Sequence, residues 1–160
     1  MKKITRRGVV AAIGVAGAGA CMCGMKSGCS SITKVGKTPL ASAGSYMVEN
    51  GLLSIDIEKV SQFAEVGGAV KIIDDGLNDR LIAARTGESE YAVVSLLCTH
   101  RGCEVEYSHE HSEFRCSSLG SSKFKTDGTK IRGFAKKSLK RYVASLDPIS
   151  GNRLVITLDV

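Results

Sequence analysis

The chain has 160 residues, which is enough for one domain with a hydrophobic core and an appendage. Its formal net charge is +6, but four of the 22 basic residues lie within the first seven positions, and from residue 21 onward 18 basic residues accompany 16 acidic ones. Tryptophan is absent and aromatic residues make up 5% of the chain, so the basic face with stacking aromatics that nucleic-acid binding requires is not expected.

Residues 1–20 have the organisation of an export signal. Basic residues precede an uncharged apolar run, and Arg6 and Arg7 are adjacent as in a twin-arginine signal. The uncharged run is short and glycine-rich for a membrane-spanning helix, which needs about 20 apolar residues. Two interpretations remain open: residues 18–21 are a lipoprotein processing site that leaves Cys21 acylated, or the segment stays as an uncleaved anchor. Both predict an exported protein, in the periplasm or on the outer face of the cytoplasmic membrane, tethered by its N-terminus.

Residues 21–45 are rich in Gly, Ser, Ala and Lys and lack apolar periodicity, so they are predicted to form a tether. Residues 46–160 form the predicted domain, in which short apolar stretches alternate with polar turns every 8–12 residues. This pattern predicts an all-β antiparallel sandwich or small barrel, with one helical turn at 62–66. The predicted strands cover residues 53–57, 69–73, 81–84, 92–97, 104–107, 113–116, 122–125, 142–146 and 154–158.

Cysteine and histidine follow one of the buried strands at a spacing suited to a metal site. In the first loop, Cys98-Thr99-His100-Arg101-Gly102-Cys103, the glycine permits a tight turn. Fifteen residues, 101–115, separate His100 from Cys116, which is enough for a strand, a turn and a returning strand. Cys116 begins a second loop, residues 116–121. Thiolates and imidazoles arriving from two loops select zinc or iron–sulfur over calcium or magnesium. A disulfide between two of the three cysteines is the alternative that involves no metal.

The chain resembles Rieske proteins of cytochrome bc-type quinol oxidoreductases. The first loop matches that family in full, and residues 133–142 keep the Gly, Ala, Leu and Tyr of its Gly-Pro-Ala-x-x-Pro-Leu-x-x-Tyr segment without the prolines. The resemblance spans residues 46–160 and implies a Rieske-like fold in which two loops hold a 2Fe–2S cluster, with two cysteines on one iron and two histidines on the other.

Carried over by position, the resemblance implies that Cys98 and Cys116 ligate one iron and His100 the other, and that the Ser121 hydroxyl tunes the cluster. The second loop departs from the family's Cys-Pro-Cys-His-Gly-Ser. Leu119 occupies the expected histidine position and cannot bind metal. Ser118 replaces the cysteine that would pair with Cys103, and one extra residue precedes Phe124.

Three states of the site follow from these departures. The first is a 2Fe–2S cluster held by Cys98, His100 and Cys116, with Cys103, water or a serine as fourth ligand. The second is zinc bound by the same three residues and Cys103. The third has no metal and a disulfide between Cys103 and Cys116. The remaining histidines, His109 and His111, are predicted to lie at the far turn of the hairpin, away from the loops.

Two functions are predicted from these states. In the first, the protein is an electron-transfer subunit, and not an independent enzyme, that passes electrons from a quinol-type donor to a cytochrome within a membrane-bound quinol oxidoreductase. In the second, it is a cluster-less or zinc-bound Rieske fold that serves as a binding or assembly module. Basic residues gather in residues 123–141, either as a solvated face or as a surface for an acidic redox partner or anionic lipid.

Overall fold

The computed structural model describes residues 37–119 and 121–158, and the predicted signal at 1–20, Cys21 and the tether up to residue 36 lie outside this part of the chain. The described residues form strands and short 3₁₀ turns and no α-helix, which confirms the all-β prediction. The strands are Tyr46–Glu49 (β1), Leu52–Asp56 (β2), Ala69–Ile72 (β3), Leu81–Arg85 (β4), Tyr91–Ser95 (β5), Val105–Ser108 (β6), Glu113–Cys116 (β7), Lys123–Lys125 (β8), Lys130–Arg132 (β9), Arg141–Leu146 (β10) and Arg153–Thr157 (β11).

The strands form two antiparallel sheets. Seven strands make the larger sheet in the order β1-β2-β11-β10-β5-β4-β3, and four make the smaller one in the order β6-β7-β8-β9. The larger sheet turns at β10, whose first two residues pair with β5 and whose last four pair with β11. A strand that changes partners along its length lets a sheet curl around its own core.

Strands β4 and β5 separate two hydrophobic cores. Alternate side chains point to opposite faces of a strand, so Leu81 and Ala83 lie in the core enclosed by the larger sheet, whereas Ile82 and Ala84 lie in the core shared with the smaller sheet. Burial on both faces explains why β4 is apolar without alternation. Cys98 and Cys116 belong to the second core, which fixes the site beneath the smaller sheet.

The predicted strands agree with the structure to within a residue or two, and two strands were not predicted. These are β1, which is half-exposed, and β9, which is exposed along its whole length. The helical turn predicted at 62–66 is the 3₁₀ turn Ser61–Ala64. A second 3₁₀ turn, Ile57–Lys59, precedes it, and the Asp56 side chain caps that turn by accepting from the Glu58 amide.

Residues 37–45, the last part of the predicted tether, contact the domain. The Lys71 amide donates to the Pro39 carbonyl and the Ala41 amide donates to the Lys71 carbonyl, both at 2.8 Å, so this segment lies parallel to β3. One oxygen of Glu106 on β6 accepts from the Lys37 and Thr38 amides and from the Thr38 hydroxyl at 3.0–3.1 Å. The segment that leads into the domain is thus held against both sheets. Within the described ranges, no helix has the length and apolar character needed to cross a membrane.

Candidate metal centre

The first loop, residues 98–103, is a tight turn closed by its own backbone. The Cys98 amide donates to the Cys103 carbonyl at 2.7 Å, and the Gly102 amide donates to the Cys98 carbonyl at 2.9 Å. Gly102 has a φ of 67°, a conformation that glycine adopts without steric cost. The Leu97–Glu104 bridge pairs the two ends of the turn, so Cys98 and Cys103 both enter the core while His100 lies at the surface edge.

The second loop, which in the structure extends one residue further than predicted, to 116–122, connects β7 to β8 and rests on the first. The Cys116 amide donates to the Ser122 carbonyl at 2.8 Å, which closes the hairpin, and the Ser117 amide donates to the Glu104 carbonyl at 2.9 Å. The second bond ties the two loops together through the residue that follows Cys103. This arrangement brings Cys116 beside Cys98, as the fifteen-residue spacing predicted.

Cys98, His100 and Cys116 form the only group of three or more potential metal donors found in the described part of the chain, and their donor atoms lie within 4.8 Å of one another. The His100 Nδ1 atom is 3.0 Å from the Cys98 Sγ and 3.9 Å from the Cys116 Sγ. The Ser118 hydroxyl lies 3.2 Å from His100 Nε2 and 3.4 Å from the Cys116 Sγ. The imidazole therefore presents Nδ1 to the two sulfurs and Nε2 to Ser118.

The Cys98 and Cys116 thiols are coupled through a hydrogen bond. A hydrogen bond from the Cys98 thiol is the main cause that lowers the pKa of Cys116 to about 5, and the same bond raises the pKa of Cys98 well above its usual range. The hydrogen bond therefore favours the thiolate form of Cys116, with Cys98 as the donor. Since metals bind thiolates, a soft cation entering the site meets one ready ligand and displaces one proton from the other.

A third loop, residues 133–139, covers the first two. The Thr99 hydroxyl donates to the Lys137 carbonyl at 2.7 Å and accepts from the Lys137 amide at 3.1 Å. Gly133 allows the close approach to the second loop, because a Cβ at that position would lie 2.5 Å from the Ser122 Cα. The residues that kept the family pattern, Ala135 and Leu139, are buried in the site core.

Ser122, and not the predicted Ser121, lies beside the ligands. Ser121 is exposed and has a φ of 40°, the left-handed conformation usually taken by glycine. Ser122 is fully buried, its hydroxyl oxygen accepts from the Ala135 amide at 2.9 Å, and the same hydroxyl hydrogen-bonds the Cys98 sulfur, which acts to lower the pKa of Cys98. The extra residue before Phe124, visible in the sequence, is the signal that could have moved the assignment by one position.

The residues present fit a metal centre with three protein ligands. Leu119, at the expected histidine position, is 80% exposed and directs its side chain to solvent. Cys103 is buried in the same core, but the donor group does not include it, so the structure does not place it as fourth ligand. Cys116 is a free thiol, so the predicted Cys103–Cys116 disulfide is not formed. A 2Fe–2S cluster held here would have the Cys98 and Cys116 thiolates for one iron and His100 for the other, with one ligand position that this donor group does not fill.

The two remaining histidines lie where the sequence predicted. His109–His111 forms a 3₁₀ turn at the opposite end of the β6–β7 hairpin from Cys116, and the Ser108 hydroxyl lies 3.3 Å from His111 Nδ1. His109 packs against Gly67, where a Cβ would lie 2.6 Å from the imidazole Cγ. Neither histidine belongs to the donor group.

As the spacing predicted, Cys98 and His100 of the first loop meet Cys116, and the segment at 133–142 packs over both loops. No family model matches the chain, and no curated protein matches it.

Solved structures similar to this chain include the following three. The plasma membrane Rieske protein PetC3 from the cyanobacterium Synechocystis PCC 6803 shares 22% identity over 56% of this chain and 86% of its own, with a TM-score of 0.47. The ferredoxin of carbazole 1,9a-dioxygenase from Nocardioides aromaticivorans IC177 shares 18% over 59% and 88%, with a TM-score of 0.49. Pseudomonas putida CBB5 NdmA, solved with caffeine, shares 21% over 59% and 27%, with a TM-score of 0.42. The assignment of the site residues rests on the geometry described above.

Proposed function

We propose that this chain is an exported, membrane-tethered Rieske-type electron-transfer protein, the redox subunit that passes electrons from a quinol-type donor to a cytochrome. The observation that carries the proposal is the convergence of Cys98, His100 and Cys116 from two loops that a third loop covers. Cys98 and Cys116 would hold one iron of a 2Fe–2S cluster and His100 the other. When bound, such a cluster supplies reversible one-electron exchange.

The surrounding residues support this role in three ways. Burial of Cys98 and Cys116 keeps water from the thiolate side of the site. The Ser122 hydroxyl hydrogen-bonds the Cys98 sulfur, and hydrogen bonds to ligating sulfur raise the reduction potential of an iron–sulfur centre. His100 is half-buried, so the histidine side of the site is the part of the centre nearest to a partner protein.

The N-terminus supports the cellular part of the proposal. The paired arginines at positions 6 and 7 are typical of a pathway that exports folded proteins, which allows a cofactor to be inserted before export. Cys21 or the apolar run before it would then hold the domain at the outer face of the membrane, in reach of quinol oxidoreductase subunits.

The exposure of Leu119 favours a second candidate, a cluster-less or zinc-bound Rieske fold that acts as a binding or assembly module. The second loop cannot supply a second imidazole to the iron, because the exposed Leu119 occupies the expected histidine position. The same three donors match the soft ligand set of a zinc site with one open position.

Metal and acid-labile sulfide analysis of the full chain, purified without oxygen, decides between the two candidates. Two irons and two sulfides per chain, with an electron paramagnetic resonance signal after reduction, support electron transfer. One zinc without sulfide, or a colourless protein free of metal, contradicts it and supports the second candidate.

The variant Ser118→Cys/Leu119→His tests whether the rest of the site is intact, because it returns a cysteine and a histidine to the second loop. We expect it to hold more cluster than the natural chain. Its matched control, Ser150→Cys/Ile149→His, makes the same two changes at exposed positions remote from the loops and should leave the metal content unchanged.

A further inference from the structure

The charge of the described domain is divided between two regions. Residues 123–141 contain eight basic residues and one acidic residue, Asp127. The rest of the described chain contains eight basic and fourteen acidic residues. The domain is nearly neutral as a whole, with a net charge of +7 concentrated in 19 residues and −6 spread over the remainder. A field of this shape orients an approaching charged surface before contact.

Most of the basic side chains of this segment face solvent. Lys123 is the exception, since it is partly buried and its ammonium lies 2.7 Å from the Glu113 carboxylate. The others are exposed on β8, on β9, in the third loop and at the start of β10: Lys125, Lys130, Arg132, Lys136, Lys137, Lys140 and Arg141.

The basic region adjoins the metal loops. Strand β8 follows the second loop directly, and the backbone of Lys137 in the third loop is hydrogen-bonded in both directions to the Thr99 hydroxyl of the first. Lys136 and Lys137 therefore lie next to the ligand loop that carries His100. Arg101, also exposed, adds a further positive charge within that loop.

Exposed apolar side chains lie among these charges. Leu119 in the second loop is 80% exposed, and Phe134 in the third loop is 76% exposed. Protein interfaces commonly have an apolar centre that includes aromatic residues, surrounded by a polar rim that sets orientation. The leucine that cannot bind metal thus has the placement of a contact residue.

We infer that this face, comprising the second and third loops and residues 123–141, docks an acidic protein surface, that of the electron-transfer partner. The inference rests on the proposed function, since the partner must bring its own redox centre to the loops that hold His100. A protein partner is favoured over an anionic membrane because lipid headgroups covering the same loops would separate the site from any electron acceptor. Lys136 and Lys137 steer the partner, and Leu119 and Phe134 contact it.

Cytochrome c provides two matched probes of opposite charge. The native protein is basic, and the succinylated protein is acidic. Binding of each to the full chain is measured by titration calorimetry at low and high salt, whether or not the chain holds a cluster. We expect the acidic form alone to bind, and its affinity to fall about tenfold or more with added salt. Binding of the native form, or of neither, overturns the inference.

Charge reversal localises the contact. Lys136→Glu/Lys137→Glu should weaken binding of the acidic probe by about tenfold or more, whereas Lys59→Glu/Arg153→Glu, the same charge change in the acidic region, should not weaken it. Leu119→Ser should weaken binding, and Ile149→Ser, which changes a side chain that is 95% exposed elsewhere, should not. Urea unfolding verifies that each variant is folded. Equal effects of site and control variants overturn the inference.

Vesicles of phosphatidylglycerol and phosphatidylcholine distinguish the membrane alternative. The inference is overturned in favour of a lipid surface if the chain binds these vesicles and does not bind the acidic cytochrome. In that case Lys136→Glu/Lys137→Glu should abolish the binding to vesicles. A chain that binds the acidic cytochrome but holds no iron would support the docking face and contradict the proposed electron transfer. Failure of the docking inference and failure of the proposed function therefore give different results.

Discussion

The buried Ser122 hydroxyl oxygen accepts a hydrogen bond from the Ala135 amide at 2.9 Å, and this bond joins the second loop to the third. The same hydroxyl hydrogen-bonds the Cys98 sulfur of the first loop, so one side chain connects all three loops around the candidate site. The Ala135 amide is buried, and a buried amide that loses its acceptor costs about 1–3 kcal/mol.

Replacing Ser122 with alanine should therefore lower the free energy of unfolding by about 1–3 kcal/mol. Urea titration followed by circular dichroism measures the change. Ser121→Ala is the matched control, because Ser121 is exposed, and it should stay within about 0.5 kcal/mol of the natural chain. If the two serines prove equivalent, Ser122 does not connect the loops.

Gly133→Ala should destabilise the domain by about 2 kcal/mol or more. Gly133 has a φ of 96°, and an added Cβ would lie 2.5 Å from the Ser122 Cα, so the substitution adds backbone strain and a collision with main chain. Gly151→Ala separates the two effects, because Gly151 has a φ of 65° with no atom near its Cβ position. The excess loss in Gly133→Ala, measured by thermal unfolding, reports the contact between the loops. A loss no larger than that of Gly151→Ala would argue against it.

The sequence predicted the strands that have a buried face better than those without one. Strands β4 and β5 contribute to both cores and are visible as apolar runs. Strand β9 has no buried residue, and its Lys-Ile-Arg sequence has no signal of its own. It is fixed by pairing with β8 and by hydrogen bonds from Lys130 to the third loop, neither of which is visible in the sequence.

At the site, the spacing of the candidate ligands predicted which residues meet, but it did not predict the conformation of the loops. The spacing of Cys98, His100 and Cys116 follows from hairpin geometry and was sufficient. The position of Ser122 depends on the left-handed conformation of Ser121, which absorbs the extra residue of the second loop. The extra residue before Phe124 was the one signal in the sequence that favoured the second of the two adjacent serines. The sequence pattern did not predict the contact of residues 37–45 with the domain, because this contact depends on backbone hydrogen bonds around Lys71.

Lys71 is a buried cation, and its removal should weaken the attachment of residues 37–45 to the domain. Its side chain is 5% exposed, and its ammonium lies 2.7 Å from Glu104 and 3.3 Å from Glu106. Lys71→Met leaves two partly buried carboxylates without this partner, and we expect a loss of about 1–3 kcal/mol, less than for a fully buried pair because the glutamates are partly exposed.

Lys71→Met should also make the segment near residues 37–41 easier to cleave. Glu106 also accepts from the Lys37 and Thr38 amides, so limited proteolysis of Lys71→Met should cut near residues 37–41 faster than in the natural chain. Lys59→Met removes a cation that is 62% exposed and pairs with Asp56, and it should change neither stability nor cleavage appreciably. Equal cleavage of Lys71→Met and the natural chain would show that Glu106 holds the segment without Lys71.

The contact between Tyr142 and Asp79 predicts a loss of stability at alkaline pH. The Tyr142 hydroxyl donates to the Asp79 carboxylate at 2.9 Å, and burial, reinforced by that carboxylate, raises the pKa of Tyr142 to about 12. An unfolded tyrosine ionises near pH 10. The folded state therefore retains the proton that the unfolded state loses, and the contribution of Tyr142 is fully present below about pH 10 and is lost as the pH rises toward 12.

Tyr142→Phe removes the ionisable group and the hydrogen bond together. Its unfolding free energy should lie about 1 kcal/mol below that of the natural chain at neutral pH, because the Asp79 carboxylate loses a donor. The difference between the two proteins should stay constant from pH 7 to pH 9 and shrink between about pH 10 and pH 12, since only the natural chain loses stability through this tyrosine. Urea unfolding of both proteins across this range measures the difference, and the other tyrosines cancel because both proteins contain them. A difference that remains constant to pH 12 would mean that Tyr142 ionises alike in the folded and unfolded states.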